Sequence, residues 1–281
     1  KSDICVVPST EITFDNDGHI NIFGIKELID YSAFFKEVSF EDKNEIIDKI
    51  LEFQKNKGSL ISLNHPFHTE TPFHHDADLE NVELIEIMNS PYYHEDFDYN
   101  GEAVKFLDFL WLTGYKIYGV GGSDSHKPLK DGTETVGIPM TFIYSCGLSP
   151  NELLKGMRKG NVYVSRKHPV NINILNGNKE VLPGEEIKGS IKYTVECEDV
   201  LKWNLVKNGK IIETKIGKKE EFNFDILDGE FYRVEGCELE ENRVFVYINP
   251  IYNNVKFNKK GTWKQIISKY FSYSSLSFFL H

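Results

Sequence analysis

The period of the hydrophobic pattern changes once along the chain. Up to about residue 165, short apolar or alternating runs exchange with runs whose apolar residues recur every three to four positions. The stretch "DICVVPSTEIT" predicts a strand end and "GHINIFGI" (18–25) a second strand. In 40–58, Ile46, Ile47, Ile50, Leu51 and Phe53 fall at helical spacing, with Ser39 as a cap and Gly58 as a stop. "SLISLNHP" (59–66) and "VELIEIMN" (82–89) predict short buried strands. Residues 103–114 predict an amphipathic helix ending at Gly114, after which "YKIYGVGGSDSH" returns to strand. A further helix over 149–160 has Ser149 as cap, Pro150 at its first position, Glu152 completing a capping box and Gly160 as stop. Repeated strand–helix units imply a parallel sheet or barrel, and such folds place ligands at the C-terminal ends of strands.

After about residue 168 the period falls to two. "VNINILNG", "SIKYTVEC", "LKWNLVKNGKIIETK", "EFNFDI" and "NRVFVYINP" are short alternating segments, and Asn208-Gly209 is a strong hairpin signal. This predicts a small antiparallel β-sandwich over 169–255, following an α/β domain over 1–168. The tail, 256–281, holds a short amphipathic helix at most.

Composition narrows the class without fixing the chemistry. With 281 residues, 40% apolar and 27% charged, the chain has material for a sizeable core. A net charge of −11 argues against non-specific nucleic-acid binding. The four cysteines are scattered without a CxxC, so neither a zinc clip nor a disulfide framework is expected. No apolar run is long enough for a membrane span and no signal peptide is recognisable. The chain opens at Lys1 directly in a strand-like run, which suggests an N-terminus lying further upstream. The compartment is therefore open, with the cytoplasm the first choice and secretion allowed.

Five residues at expected strand ends are able to ligate a metal: Glu11, His19, His65, Asp124 and His126. Singly, each has a bland reading as a surface or turn residue. Together, three imidazoles and two carboxylates form the ligand set of a hydrolytic zinc, manganese or iron site. Glu86 shares a strand face with Leu84 and Met88, so it points inward and needs a partner such as a ligand's imidazole; Asn89 ends the same strand. His68, His74 and His75 lie in a loop that gates the site, supplies a ligand or, as the first choice, is merely solvated. Tyr92, Tyr93 and His94 line a pocket or pack, and Arg166 holds an anion or lies at the surface. The glycines at 119, 121 and 122 lack dinucleotide-fingerprint spacing and are expected to let the backbone pass close to the site.

In order, "PSTEIT…GHINIFGI", "SLNHPFH", "ELIEIMN", "GGSDSHKP" and "NELLKGMRKGNVYVS" resemble the polymerase-and-histidinol-phosphatase (PHP) superfamily of metal-dependent hydrolases, and more narrowly its carbaryl-hydrolase branch. The likeness covers roughly residues 3–168. It implies a distorted (β/α)7 barrel, here missing its first strands, holding two or three divalent metals. It also implies that Glu11 bridges two metals, that His19 and His65 complete the second metal's ligands, and that Asp124 binds the first metal and His126 the third. The implied activity is phosphoester hydrolysis by a metal-bridging hydroxide, with carboxylic or carbamic esters as the alternative. Glu11, His65 and His126 would be the catalytic residues, and His65 or His126 would be placed to protonate the leaving group. The partner would be a small ester or phosphoester, not a nucleic acid or a membrane. The family's upstream H-x-H segment has no counterpart here, so an impaired fragment acting as a binding module is the competing reading.

Overall fold

In a computed structural model the described residues are 4–14, 18–26, 43–89, 97–126, 136–258 and 260–274. They form two β-sheets and four α-helices. In the first sheet, β1 (Ser9–Thr13) pairs antiparallel with β2 (His19–Phe23), and β2 pairs antiparallel with β3 (Leu60–Asn64). Strands β3, β4 (Leu84–Asn89) and β5 (Tyr118–Gly122) then run parallel. Helix α1 (Lys43–Asn56) precedes β3, and α2 (Tyr99–Leu112) connects β4 to β5.

Strand alternation divides this sheet into two chemically different faces. Ile20, Ile22, Ile61, Leu63, Ile85 and Ile87 are fully buried, in one core cluster with Ile47 and Leu51 of α1 and Phe106 and Leu110 of α2. On the other face Asn21, Ser62, Asn64 and Glu86 line a cavity of about 390 Å³. Its far wall includes Thr141 and Ile143 of β6 (Met140–Ile143) and Leu153 and Met157 of α3 (Pro150–Arg158). The polar face is thus covered rather than solvated.

The second sheet has nine strands, all antiparallel in their pairings. It runs from β6 through β7 (Val162–Ser165), β13 (Val244–Ile248) and β12 (Glu230–Cys237) to β10 (Gly189–Lys207). Beyond β10 lie β8 (Asn171–Asn176) and β9 (Lys179–Val181), while β11 (Lys210–Ile226) pairs with β10 and β14 (Ile251–Asn253) with β12. A register break between Glu196 and Leu201 divides β10 into one half that pairs with β8 and another that pairs with β12, while β11 follows both. Asn208 and Gly209 take φ of +47° and +72° at the β10–β11 turn, as a two-residue hairpin of the type I′ class requires.

These observations overturn the expected (β/α)7 PHP-type barrel followed by a separate β-sandwich. Only five residues, Phe14–Gly18, separate β1 from β2; no crossover helix fits there, and the strands pair antiparallel. The first sheet also stops at β5, because side chains cap that edge. Asn249 Oδ1 accepts from the Gly119 N–H (2.8 Å) and its Nδ2 donates to the Gly119 carbonyl (3.1 Å). Thr141 Oγ1 accepts from the Gly121 N–H (2.8 Å) and donates to the Gly121 carbonyl (2.6 Å). The edge is therefore satisfied without another strand. Strands β6 and β7, which the sequence places with the barrel, instead extend the second sheet. The glycines serve this close contact: a Cβ at Gly121 would lie 2.7 Å from both the Met88 carbonyl oxygen and Val164 Cγ1.

The two sheets share a core. Val162, Val164, Phe231, Tyr247 and Tyr252 belong to the same cluster as the first sheet. Arg233 of β12 forks onto Asp108 of α2, Nε to Oδ1 at 2.7 Å and Nη2 to Oδ2 at 2.6 Å, and its Nη1 reaches Glu235 Oε2 at 2.5 Å. Helix α4 (Trp263–Ser274) is the expected tail helix, and Trp263, Ile266, Tyr270 and Phe271 are buried on the first sheet's core. Among the described residues no helix is long and apolar enough to cross a membrane. All four cysteines are free, with Cys237 buried and Cys146 exposed.

Candidate metal centre

The ladder itself assembles the first three candidate residues. In the β1–β2 register Glu11 faces Asn21 and Thr13 faces His19, which puts Glu11 and His19 diagonally on one face. In the β2–β3 register His19 faces Asn64, and His65 follows at once. His19 Nδ1 lies 2.8 Å from Glu11 Oε1 and 3.1 Å from His65 Nε2. One ligand atom from each residue falls within 4.8 Å of the others, a group able to hold a metal ion. Gly18 sets the start of β2: at φ +106° its missing Cβ would lie 2.8 Å from Phe73 Cα, so the loop after His65 packs directly beside His19.

Proton bookkeeping tests whether this set suits a cation. His19 Nδ1 cannot donate to Glu11 and also accept from His65 Nε2. If it donates, His65 carries its proton on Nδ1, which is buried without a partner. If it accepts, Glu11 faces a lone pair at 2.8 Å. A cation at the convergence point lets all three direct lone pairs at one centre. In a tetrahedral site with bonds near 2.0–2.1 Å, ligand atoms sit roughly 3.3 Å apart, within about half an ångström of the two distances seen here. Two imidazoles and a carboxylate also match the three-protein-ligand pattern of catalytic zinc sites. Burial and the neighbouring His19 lower the His65 pKa to about 4, so its imidazole is neutral and free to ligate at neutral pH.

Behind His65 lies a layer that holds it. The His65 backbone N–H donates to Glu86 Oε2 at 3.0 Å. Asn89 Nδ2 donates to the same oxygen at 3.1 Å and to Asp124 Oδ2 at 3.3 Å. These residues come from the C-terminal ends of the parallel strands β3, β4 and β5. Burial, with Asp124 and Glu11 nearby, raises the Glu86 pKa to about 8. His65 (φ +27°) and Asp124 (φ +46°) both leave their strands in the left-handed region, a strained conformation that concentrates at functional sites.

The structure does not gather all five expected ligands. Asp124 is tied to the cluster through Asn89, outside the converging trio. His126 is exposed, its Nδ1 bonded to the Asp124 carbonyl at 2.9 Å and 3.7 Å from the Asp124 carboxylate. His68 Nδ1 accepts from the N–H groups of Glu70 and Thr71, and its ring stands edge-on to His65 (5.4 Å) and Tyr99 (5.0 Å). His75 is buried against Phe14 and Phe73, a packing role, whereas His74 is exposed. Arg166 is buried in the second sheet, its Nε donating to the Val244 carbonyl, and so is not a surface residue. Ser39, Tyr92, Tyr93 and His94 lie outside the described residues.

Two residues were missed at the sequence level. Asn100 clamps Asn89, its Oδ1 accepting from the Asn89 N–H (3.0 Å) and its Nδ2 donating to the Asn89 carbonyl (3.1 Å). An asparagine in the first turn of a mostly buried helix was the available signal. Asn64 is 3% exposed, with its Oδ1 unpartnered in the polar cavity. Its place on an alternating polar face marked it. Compared with known protein families, characterised proteins and solved structures, the chain matches none.

Proposed function

We propose that this protein is a metal-dependent hydrolase of ester bonds, with a divalent cation held by Glu11, His19 and His65. The convergence of these three side chains from adjacent strands is the observation that carries the reading. The likeness to PHP hydrolases supports it from the sequence side. A zinc, manganese or iron ion there would polarise the ester oxygen and make a bound water nucleophilic near neutral pH.

The chain's own residues do the rest. Neutral His65 supplies a lone pair, and Glu86 fixes its backbone by accepting the His65 N–H. Asn89 holds Glu86 and Asp124 in one network, leaving Asp124 to take or orient a proton at the open side of the site. His126, exposed beside Asp124, is the second proton carrier in this reading.

Phosphoesters are the substrate class that the sequence likeness favours. A carboxylic or carbamic ester is the second, and one observation speaks for it: Glu11 and Asp124 flank the site, and their carboxylates repel a phosphate dianion but not a neutral ester. Hydrolysis of p-nitrophenyl phosphate, bis-p-nitrophenyl phosphate and p-nitrophenyl acetate after loading with each metal decides between them. Activity on none of the three, with wild type and Glu11→Ala indistinguishable, would sink the hydrolase reading.

A further inference from the structure

A second cavity, of about 490 Å³, opens beside the candidate centre. Its size falls within the range of small-molecule pockets, roughly 300–1,000 Å³. Its wall combines Phe67, Phe73 and Phe97 with Trp263, Ile267 and Phe271 of α4. Polar groups are few, as in pockets that fix an apolar ligand by a handful of contacts. Glu102 is the buried one, accepting from Tyr270 and paired with Lys105 at 3.3 Å.

Position links this cavity to the chemistry. Its first lining residues, Pro66, Phe67 and His68, directly follow His65 in the chain. The His68 ring stands against His65 on one side and lines the cavity on the other. Phe73, on the cavity wall, is also the residue that Gly18 accommodates beside His19. One element of the wall therefore contacts His65, and another packs against Gly18, the residue before His19.

We infer that this cavity receives an apolar, ring-sized group attached to the ester cleaved at the Glu11–His19–His65 centre; the inference rests on the hydrolase reading. The substrate class is thus an ester or phosphoester of a hydrophobic alcohol, not a sugar phosphate or other polar metabolite. Offset and edge-on ring contacts with Phe67 and Trp263 would hold the group. Helix α4 acts here as the specificity wall, set apart from the residues that hold the cation.

The test uses the full chain and two readouts. Calorimetric titration of the chelator-treated protein with 3-phenylpropan-1-ol measures the cavity without the cation. Binding is expected in wild type and in Glu11→Ala. It should weaken at least tenfold in Ile267→Trp, which fills the cavity, and in Ser268→Trp, whose exposed helix position spares the core. In the metal-loaded protein, both tryptophan variants should lower the ratio of kcat/KM for phenyl over methyl esters at least tenfold. No binding of the alcohol, or a ratio unmoved by both variants, overturns the inference while leaving cation binding and hydrolysis of small esters intact. Binding with the expected variant pattern but no hydrolysis of any ester overturns the link to the reaction, so the two readings fail separately.

Discussion

Glu86 is a carboxyl group that the fold keeps protonated. It is 7% exposed, and burial raises its pKa from 4.5 to about 8. Between those values the native state holds a proton that the unfolded chain releases, so stability must fall as pH rises through the window. The contribution is fully present below pH 4.5 and lost as pH passes 8. The slope is about 1.4 kcal/mol per pH unit and the whole window is worth on the order of 5 kcal/mol. Glu86→Gln mimics the protonated form, since its carbonyl oxygen still accepts from the His65 N–H and from Asn89. Urea denaturation of both proteins after chelator treatment reads Glu86 together with its coupling to Asp124 and Glu11, because more distant titrating groups cancel in the difference. Equal stability near pH 4 and a growing advantage for Glu86→Gln towards pH 8 are expected. A bound divalent cation should shrink that advantage, since positive charge favours the ionised carboxylate. A difference flat within about 0.5 kcal/mol from pH 5 to 8.5 would refute the reasoning, because it would place Glu86 as an ordinary ionised group.

Two further outcomes follow from the packing. Arg233→Met strands Asp108 and Glu235 as buried unpaired carboxylates and should cost about 3–5 kcal/mol in urea denaturation; replacing all three with apolar residues of similar volume should recover most of the loss. Gly18→Ala pushes a Cβ against Phe73 and strains the backbone ahead of His19. Its cation affinity, measured by competition with a chromogenic chelator, should drop at least tenfold while the circular dichroism spectrum stays native.

Local elements were legible because their signals are local. Ser149, Pro150 and Glu152 mark the start of α3, and the Ser149 Oγ accepts from the Glu152 N–H at 3.3 Å as that pattern demands. Asn208-Gly209 gave the hairpin correctly for the same reason. The start of α2 was placed too late because its cap, Asp98, lies upstream of the apolar period. The architecture was misread because sheet membership is decided at long range. Nothing within 140–165 says that β6 and β7 join β13 rather than β5; that choice depends on Asn249 and Thr141 capping β5, a contact spanning 130 residues in the first case. The site was half legible. Alternation in "HINIF" put His19 and Asn21 on one face, and the turn at His65 brought the third group. His126 lies exposed beside Asp124, outside the converging trio, and D-x-H spacing alone cannot say whether the strand continues past Asp124.

The most direct test of the proposed centre is cation stoichiometry on the purified chain. Wild type, Glu11→Ala and His65→Ala are equilibrated with zinc, manganese or iron(II), desalted and measured by elemental analysis. The account predicts at least one equivalent retained by wild type and less than one-tenth of that by either variant. No retention by wild type with any of the three metals, or equal retention by all three proteins, would contradict it.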